Sequence, residues 1–281
     1  MLIKVDRGDQ LHHARMGDID YQDATRTRIV HVSDTHLHHF DLLNNEAIPA
    51  GDILVHSGDF NSFHRNVPKM PQQDLELFVA RMNNFFDCLP HKHKIFVPGN
   101  HDVNIEDKPW QKMQRLLPSC VYLQDRSVTI EGLKFYGAGW NLVRECSSAR
   151  SFSVEPECIL KHWDKIPTDT DILVTHSPPY AILDCSHCRR QGGVTHCKPK
   201  NCCGHGHIGC PKLREVVLNR VKPKAHLFGH NHGGNYVIAH KNILFSNAAM
   251  STSSVPVVID YYRKPDADRK TAPSAFQLKE T

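Results

Sequence analysis

No apolar run in this 281-residue sequence approaches the roughly 18 residues needed to cross a bilayer, so no membrane partner is expected. The opening residues, MLIKVDRGDQ, reach charge too early for the apolar core of a secretory signal. A cytoplasmic or otherwise intracellular, reducing location is therefore expected, with the cysteines as thiols or metal ligands rather than disulfides. There is no long basic run either: 34 Lys and Arg against 30 Asp and Glu leave a net charge of +4, and the positive residues are scattered. A nucleic-acid-binding tail is not expected on that pattern, nor is an aromatic platform for single strands in evidence. Internal repeats and low-complexity blocks are missing as well.

What is present reads as one globular unit. Residues 1–26 are polar and unpatterned, and residues 263–281 are charged and proline-containing, so both read as extensions of a folded body over residues 27–262. Within it, short apolar runs begin at Arg28 (RIVHVS), Asp52 (DILVHS), Lys94 (KIFVP), Lys134 (KFYGAG), Asp171 (DILVTHS) and Ala225 (AHLFGH), each a candidate buried strand. Leu75, Phe78, Val79, Met82, Phe85 and Phe86 share one helical face, ended by Pro90, and a second helix is expected to begin at Pro211 with Leu213, Val216, Val217 and Val221 inward. Strands alternating with helices mean α/β, and the runs GNYVIAH, ILFSNAA and VPVVIDYY suggest that the C-terminal end contributes a second sheet.

Several of these runs carry chemistry at their C-terminal ends. The first is followed by Asp34 and His36, the second by Asp59, the third by Asn100, His101 and Asp102; two later runs end at His176 and at His230 with His232. Ligands bind outside the carboxyl ends of strands in open α/β sheets, so residues scattered in sequence are expected to converge. Carboxylate, amide and imidazole donors without thiolate suit manganese, iron or zinc in five- or six-coordinate geometry rather than a structural cysteine-bound zinc. On an extended backbone, Asp34 and His36 would point the same way and grip one ion, as would His230 and His232. Asp59, between two sets of candidate ligands, is the natural bridge between two ions. Glycines before Asp59, Asn100 and His230 would permit tight turns and close backbone approach. Asp102 is expected to orient a loop or cap a following helix, and His38 and His39 to be solvated.

D-x-H, then GD, GNHD, a later His and GHNH, in that order over residues 34–232, resembles the motif set of the calcineurin-like metallophosphoesterases. CVYLQDRSVTIEGLKFYGAGW, DILVTHSPP and VKPKAHLFGHNHGG further resemble the small animal metallophosphoesterase-domain proteins, which act as phosphodiesterases on cyclic nucleotides. The resemblance implies a four-layer αββα sandwich. It also implies one ion on Asp34, His36, Asp59 and His232, a second on Asp59, Asn100, His176 and His230, and His101 as the catalytic histidine. The expected substrate is a small phosphoester, with a phosphomonoesterase, a nuclease or a non-catalytic scaffold of the same fold as alternatives. FNSFHR follows Asp59 in place of the Asp-Arg-Gly continuation of protein phosphatases, which disfavours phosphoprotein substrates.

Two features stand outside that set. Trp140 and Asn141, after a Gly-Ala-Gly turn, could wall a substrate pocket or anchor a loop. The stretch from Asp184 to Cys210 holds six of the ten cysteines and four histidines, and it lies between His176 and His230, so a lid or rim insertion is expected there. Its Cys185, Cys188, Cys197, Cys202 and Cys203, with His187, His196 or His205, are candidates for an additional structural zinc, for free thiols, or for disulfides or redox switching. His207, next to the helix start, is a candidate substrate contact.

Overall fold

Two β-sheets stacked face to face, each covered by helices on its outer side, account for central strands that are buried on both faces. The structure, a computed structural model, describes residues 2–6, 11–15, 25–62, 72–103, 105–143, 151–185, 206–250 and 255–263. The first sheet has seven strands in the order Leu11–Arg15, Leu2–Asp6, Val257–Arg263, Thr25–Val32, Ile53–His56, His93–Phe96 and Val121–Tyr122. Its pairings are antiparallel up to Thr25–Val32 and parallel beyond it. The second has six strands, in the order Tyr236–His240, Ile243–Asn247, Ala225–Phe228, Ile172–Thr175, Leu133–Ala138 and Arg126–Ile130.

Side-chain alternation sorts these strands into three apolar layers, because successive residues of a strand face opposite ways. Ile29, Ile53, Val55, Ile95 and Val97 of the first sheet meet Phe135, Ile172, Val174, Leu227 and Leu244 around the second in the central layer. Their neighbours Val30, Leu54 and Phe96 point outward onto helices Gln72–Asp87 and Trp110–Leu116 through Phe78, Met82, Phe86 and Met113. On the far side, Tyr136, Leu173 and Phe245 pack against Trp163 of helix Leu160–Trp163 and against Leu213, Val217 and Val221. The order helix, sheet, sheet, helix is the four-layer sandwich expected from the sequence.

The helix at Pro211 starts where expected, capped by Cys210, whose sulfur accepts from the Leu213 N–H at 3.4 Å. It continues from Val216 to Val221 as a π-helical segment, which the sequence did not signal. Two other expectations change. Part of the N-terminal extension is strand: Leu2–Asp6 and Leu11–Arg15 pair as a hairpin on Val257–Arg263. Backbone pairing needs an open sheet edge rather than an apolar run, so composition missed it. The C-terminal strands also divide: Tyr236–His240 and Ile243–Asn247 join the second sheet, but Val257–Arg263 returns to the first beside Thr25–Val32.

Candidate metal centre

Five loops leave the C-terminal ends of parallel strands on one edge of the sandwich, and hydrogen bonds sew them together. The Asp34 N–H donates to the Gly58 carbonyl at 2.8 Å, the His36 N–H to the Asp59 carbonyl at 3.1 Å, and the Gly229 N–H to the His176 carbonyl at 3.1 Å. The result is two groups. Ligand atoms of Asp34, His36 and His232 all lie within 4.8 Å of one another, and so do those of Asp59, His176 and His230. Asn100 joins the second, its Oδ1 3.1 Å from His176 Nε2.

Left-handed backbone, not strand alternation, makes this convergence. Asp34, His36, Asp59 and His230 have φ of 55°, 44°, 55° and 66°. Each such non-glycine residue costs about 1–3 kcal/mol and persists only where its surroundings hold it. The expectation that Asp34 and His36 pair on an extended segment is corrected in its reason, and that for His230 and His232 in its outcome: the turn at His230 sends the two histidines to different groups. Glycine matters most at two places. Gly58 has φ 107°, and a Cβ there would sit 2.5 Å from His176 Nδ1; a Cβ on Gly229 would collide with Ser33 Oγ and the Asp34 carboxylate.

The donor atoms are arranged to receive cations. His36 Nδ1 is 2.9 Å from the Asn61 carbonyl and His176 Nδ1 is 2.8 Å from the Ser57 carbonyl. A carbonyl only accepts, so both rings carry hydrogen on Nδ1 and turn Nε2 inward. His36 Nε2 then lies 3.1 Å from His232 Nε2, and His176 Nε2 3.1 Å from Asp59 Oδ2. Asp59 Oδ2 is also 4.0 Å from His36 Nε2, so one oxygen faces both groups, while Asp59 Oδ1 accepts the His101 N–H at 2.8 Å. Hard oxygens and imidazole nitrogens without thiolate fit Mn, Fe or Zn ions.

Electrostatics point the same way. Burial alone would raise the Asp34 carboxyl, but His232, His176 and His36 outweigh it and hold it well below the usual carboxylate range. Burial would likewise lower His176, but Asp59 overrides it and pushes the imidazole up to about 9. The site therefore draws positive charge. His101 stands beside it, its ring 4.8 Å from that of His36; burial lowers its pKa against the pull of Asp59.

Asp102 is the loop-orienting residue of the two roles open to it. Its fully buried carboxylate accepts from the N–H groups of Asp59, Gly99 and Asn61 at 2.9, 2.8 and 3.0 Å, binding two ligand loops together. Burial and nearby Asp59 push it up to about 7. His39, expected in solvent, is buried and stacks on Phe60 at 3.9 Å. The Ser57 and Asn61 carbonyls, which set the histidine tautomers, escaped sequence reading because every residue type carries one.

Trp140 makes the contacts of a loop anchor: its indole N–H donates to Asp125 Oδ1 at 2.8 Å and its ring lies 3.8 Å from that of His162. Asn141 is buried, with its amide donating to the Gly139 carbonyl. The ends of the cysteine-rich stretch meet in bridges between Pro179 and Cys210 and between Cys185 and His207. The Asn231 amide, between His230 and His232, donates to the Leu183 and Cys185 carbonyls at 2.8 and 3.2 Å, which seats the base of that stretch against the histidine loop. Cys185 is buried. Cys188, Cys197, Cys202, Cys203, His187, His196 and His205 lie outside the described residues. His207 Nδ1 is 2.7 Å from Asp184 Oδ1, its ring is 4.8 Å from that of Tyr180, and its buried Nε2 has no hydrogen-bond partner among the described residues.

A two-sheet α/β sandwich presenting two adjacent Asp/His groups at its strand ends defines a protein built to hold a pair of metal ions. The model of the calcineurin-like phosphoesterase family matches residues 27–234, and the chain belongs to that family. Relatives extend over most of it. The human metallophosphoesterase domain-containing protein 1 is 30% identical, covering 88% of this chain and 76% of its own. The Caenorhabditis elegans UPF0046 protein C25E10.12 is 33% identical, covering 84% and 81%. One crystal structure overlays with a TM-score of 0.52 at 16% identity over 79% of this chain and 90% of that one, a likeness of fold. Family membership supports a metal-dependent phosphoesterase with a small phosphoester substrate. Among the described residues, no helix is long and apolar enough to cross a membrane.

Proposed function

We propose that the protein is a phosphodiesterase for small phosphodiesters such as cyclic nucleotides, with one ion on Asp34, His36, Asp59 and His232 and a second on Asp59, Asn100, His176 and His230. The observation that carries the two-ion reading is Asp59 Oδ2, one carboxylate oxygen facing histidines of both groups. Two ions held there supply Lewis acidity, neutralising phosphate oxygens and lowering the pKa of a water toward neutrality.

The chain's own residues do the rest. Asp34 and Asp59 supply the negative charge of the pocket, and Asp102 holds the loop of Asp59 against that of Asn100. The Asn61 and Ser57 carbonyls take up Nδ1 of His36 and His176 and leave Nε2 of each ring facing inward, where a bound ion would take the place of a proton. His101, fixed through its backbone to Asp59 Oδ1, is the proton donor to the leaving oxygen. His207, with Nδ1 engaged by Asp184 and Nε2 unspent, is the substrate-side group of the 184–210 stretch.

The test is hydrolysis of bis-p-nitrophenyl phosphate, p-nitrophenyl phosphate, and 2′,3′- and 3′,5′-cyclic nucleotides by metal-loaded protein, with Asp34→Ala as control. Metal-dependent cleavage of diesters in preference to the monoester, lost in the control, is expected. Preference for the monoester would overturn the diesterase assignment, and activity surviving in Asp34→Ala would sink the site.

A further inference from the structure

The second group of donors draws on both sheets. Asp59 and Asn100 follow strands Ile53–His56 and His93–Phe96 of the first, while His176 and His230 follow Ile172–Thr175 and Ala225–Phe228 of the second. Their spacing therefore depends on how one sheet sits on the other. The layer between the sheets is apolar, and apolar contact is non-directional, so it fills volume without dictating register.

His31 crosses that layer with two directional bonds. It is fully buried, Nδ1 lies 2.9 Å from Ser246 Oγ on the second sheet, and Nε2 lies 2.9 Å from Ser57 Oγ at the end of a first-sheet strand. Both nitrogens of a neutral imidazole are satisfied in either tautomer, since each hydroxyl can donate or accept. Ser57 is thus held at three points: its N–H donates to the Val32 carbonyl at 3.0 Å, its hydroxyl meets His31, and its carbonyl accepts from His176 Nδ1 at 2.8 Å. His176 is the residue whose Nε2 touches both Asp59 and Asn100.

We propose that His31 is a positioning residue for the second ion: by tying Ser246 to Ser57 across the sheet interface, it fixes the carbonyl that orients His176. The inference rests on the two-ion reading above. Groups that orient a metal-binding histidine through its second ring nitrogen change metal affinity by about 10–100-fold when removed.

The test titrates metal-free protein with Zn2+ or Mn2+ by calorimetry, counts ions per chain after desalting, and records thermal melting without metal. His31→Gln extends an amide to the place of Nε2 and keeps the arm to Ser57; His31→Asn keeps only the arm to Ser246; Ser57→Ala removes the hydroxyl and leaves the carbonyl. Two ions in wild type are expected, with the second weakened about 10–100-fold in His31→Asn and Ser57→Ala and largely restored in His31→Gln. A purely structural role would lower melting in His31→Gln and His31→Asn alike while leaving ion binding unchanged, and that result overturns the proposal. Should His31→Asn fail to fold, Ser57→Ala decides: two ions bound as in wild type overturns it. Wild type that binds no ions would overturn the two-ion reading itself.

Discussion

His36 and His232 place their Nε2 atoms 3.1 Å apart although 196 residues separate them in the chain. Two lone pairs brought that close repel unless a proton or a cation lies between them, and the Asp34 carboxylate 3.2 Å from His232 Nε2 favours the positive charge. The loops hold the two nitrogens together because their backbones are bonded to neighbouring loops, which is how a site is built in advance of what it binds.

Asp59 is the most sensitive single donor. Asp59→Asn removes the one charge shared by both groups, so binding of both ions is expected to weaken, with fewer than two recovered per chain. Elemental analysis after desalting reads this directly, and full occupancy would count against the bridging oxygen.

His101→Ala should separate chemistry from binding. The His101 ring sits beside His36 and belongs to neither donor group, so ion content is expected to stay near wild type while turnover falls about 10²- to 10⁴-fold. Loss of both metals in this variant would refute the assignment.

Gly58→Ala is expected to disturb the site without replacing a donor. The new methyl would press on the His176 ring, and φ of 107° is unfavourable for any side chain. A loss of about 1–3 kcal/mol in stability should accompany weaker binding of the second ion, read by chemical denaturation and ion titration. Unchanged binding would mean that the His176 orientation is less tightly held than the geometry implies.

Acid should unfold the protein in a defined window. Burial lowers His31, His56 and His226 to about 3 from an ordinary 6.5. Between those values the unfolded chain binds protons that the folded chain refuses, so stability falls as pH drops from about 6.5 toward 3. Each histidine contributes up to about 1.4 kcal/mol per pH unit there. Urea midpoints at pH 7, 6, 5 and 4 measure the slope, and His226→Gln should make it shallower. His226 suits this test because it lies outside the metal centre, its Nε2 2.8 Å from Thr175 Oγ1. An unchanged slope would show that other groups govern acid unfolding.

The sequence alone determined the architecture and the cast. Short continuous apolar runs such as DILVHS and DILVTHS define strands buried on both faces, and their terminal Asp, Asn and His residues mark the edge that carries the candidate site, because these signals are local. Only the tertiary structure decided the rest. His230 and His232 part because the backbone is left-handed at His230, Asp102 proves a clasp between loops, and His31 becomes a crosspiece through hydroxyls 26 and 215 residues away. Those outcomes depend on backbone carbonyls, N–H groups and distant partners. Every residue type shares a backbone, and distant partners meet only after folding, so neither leaves a mark in the local pattern of side chains.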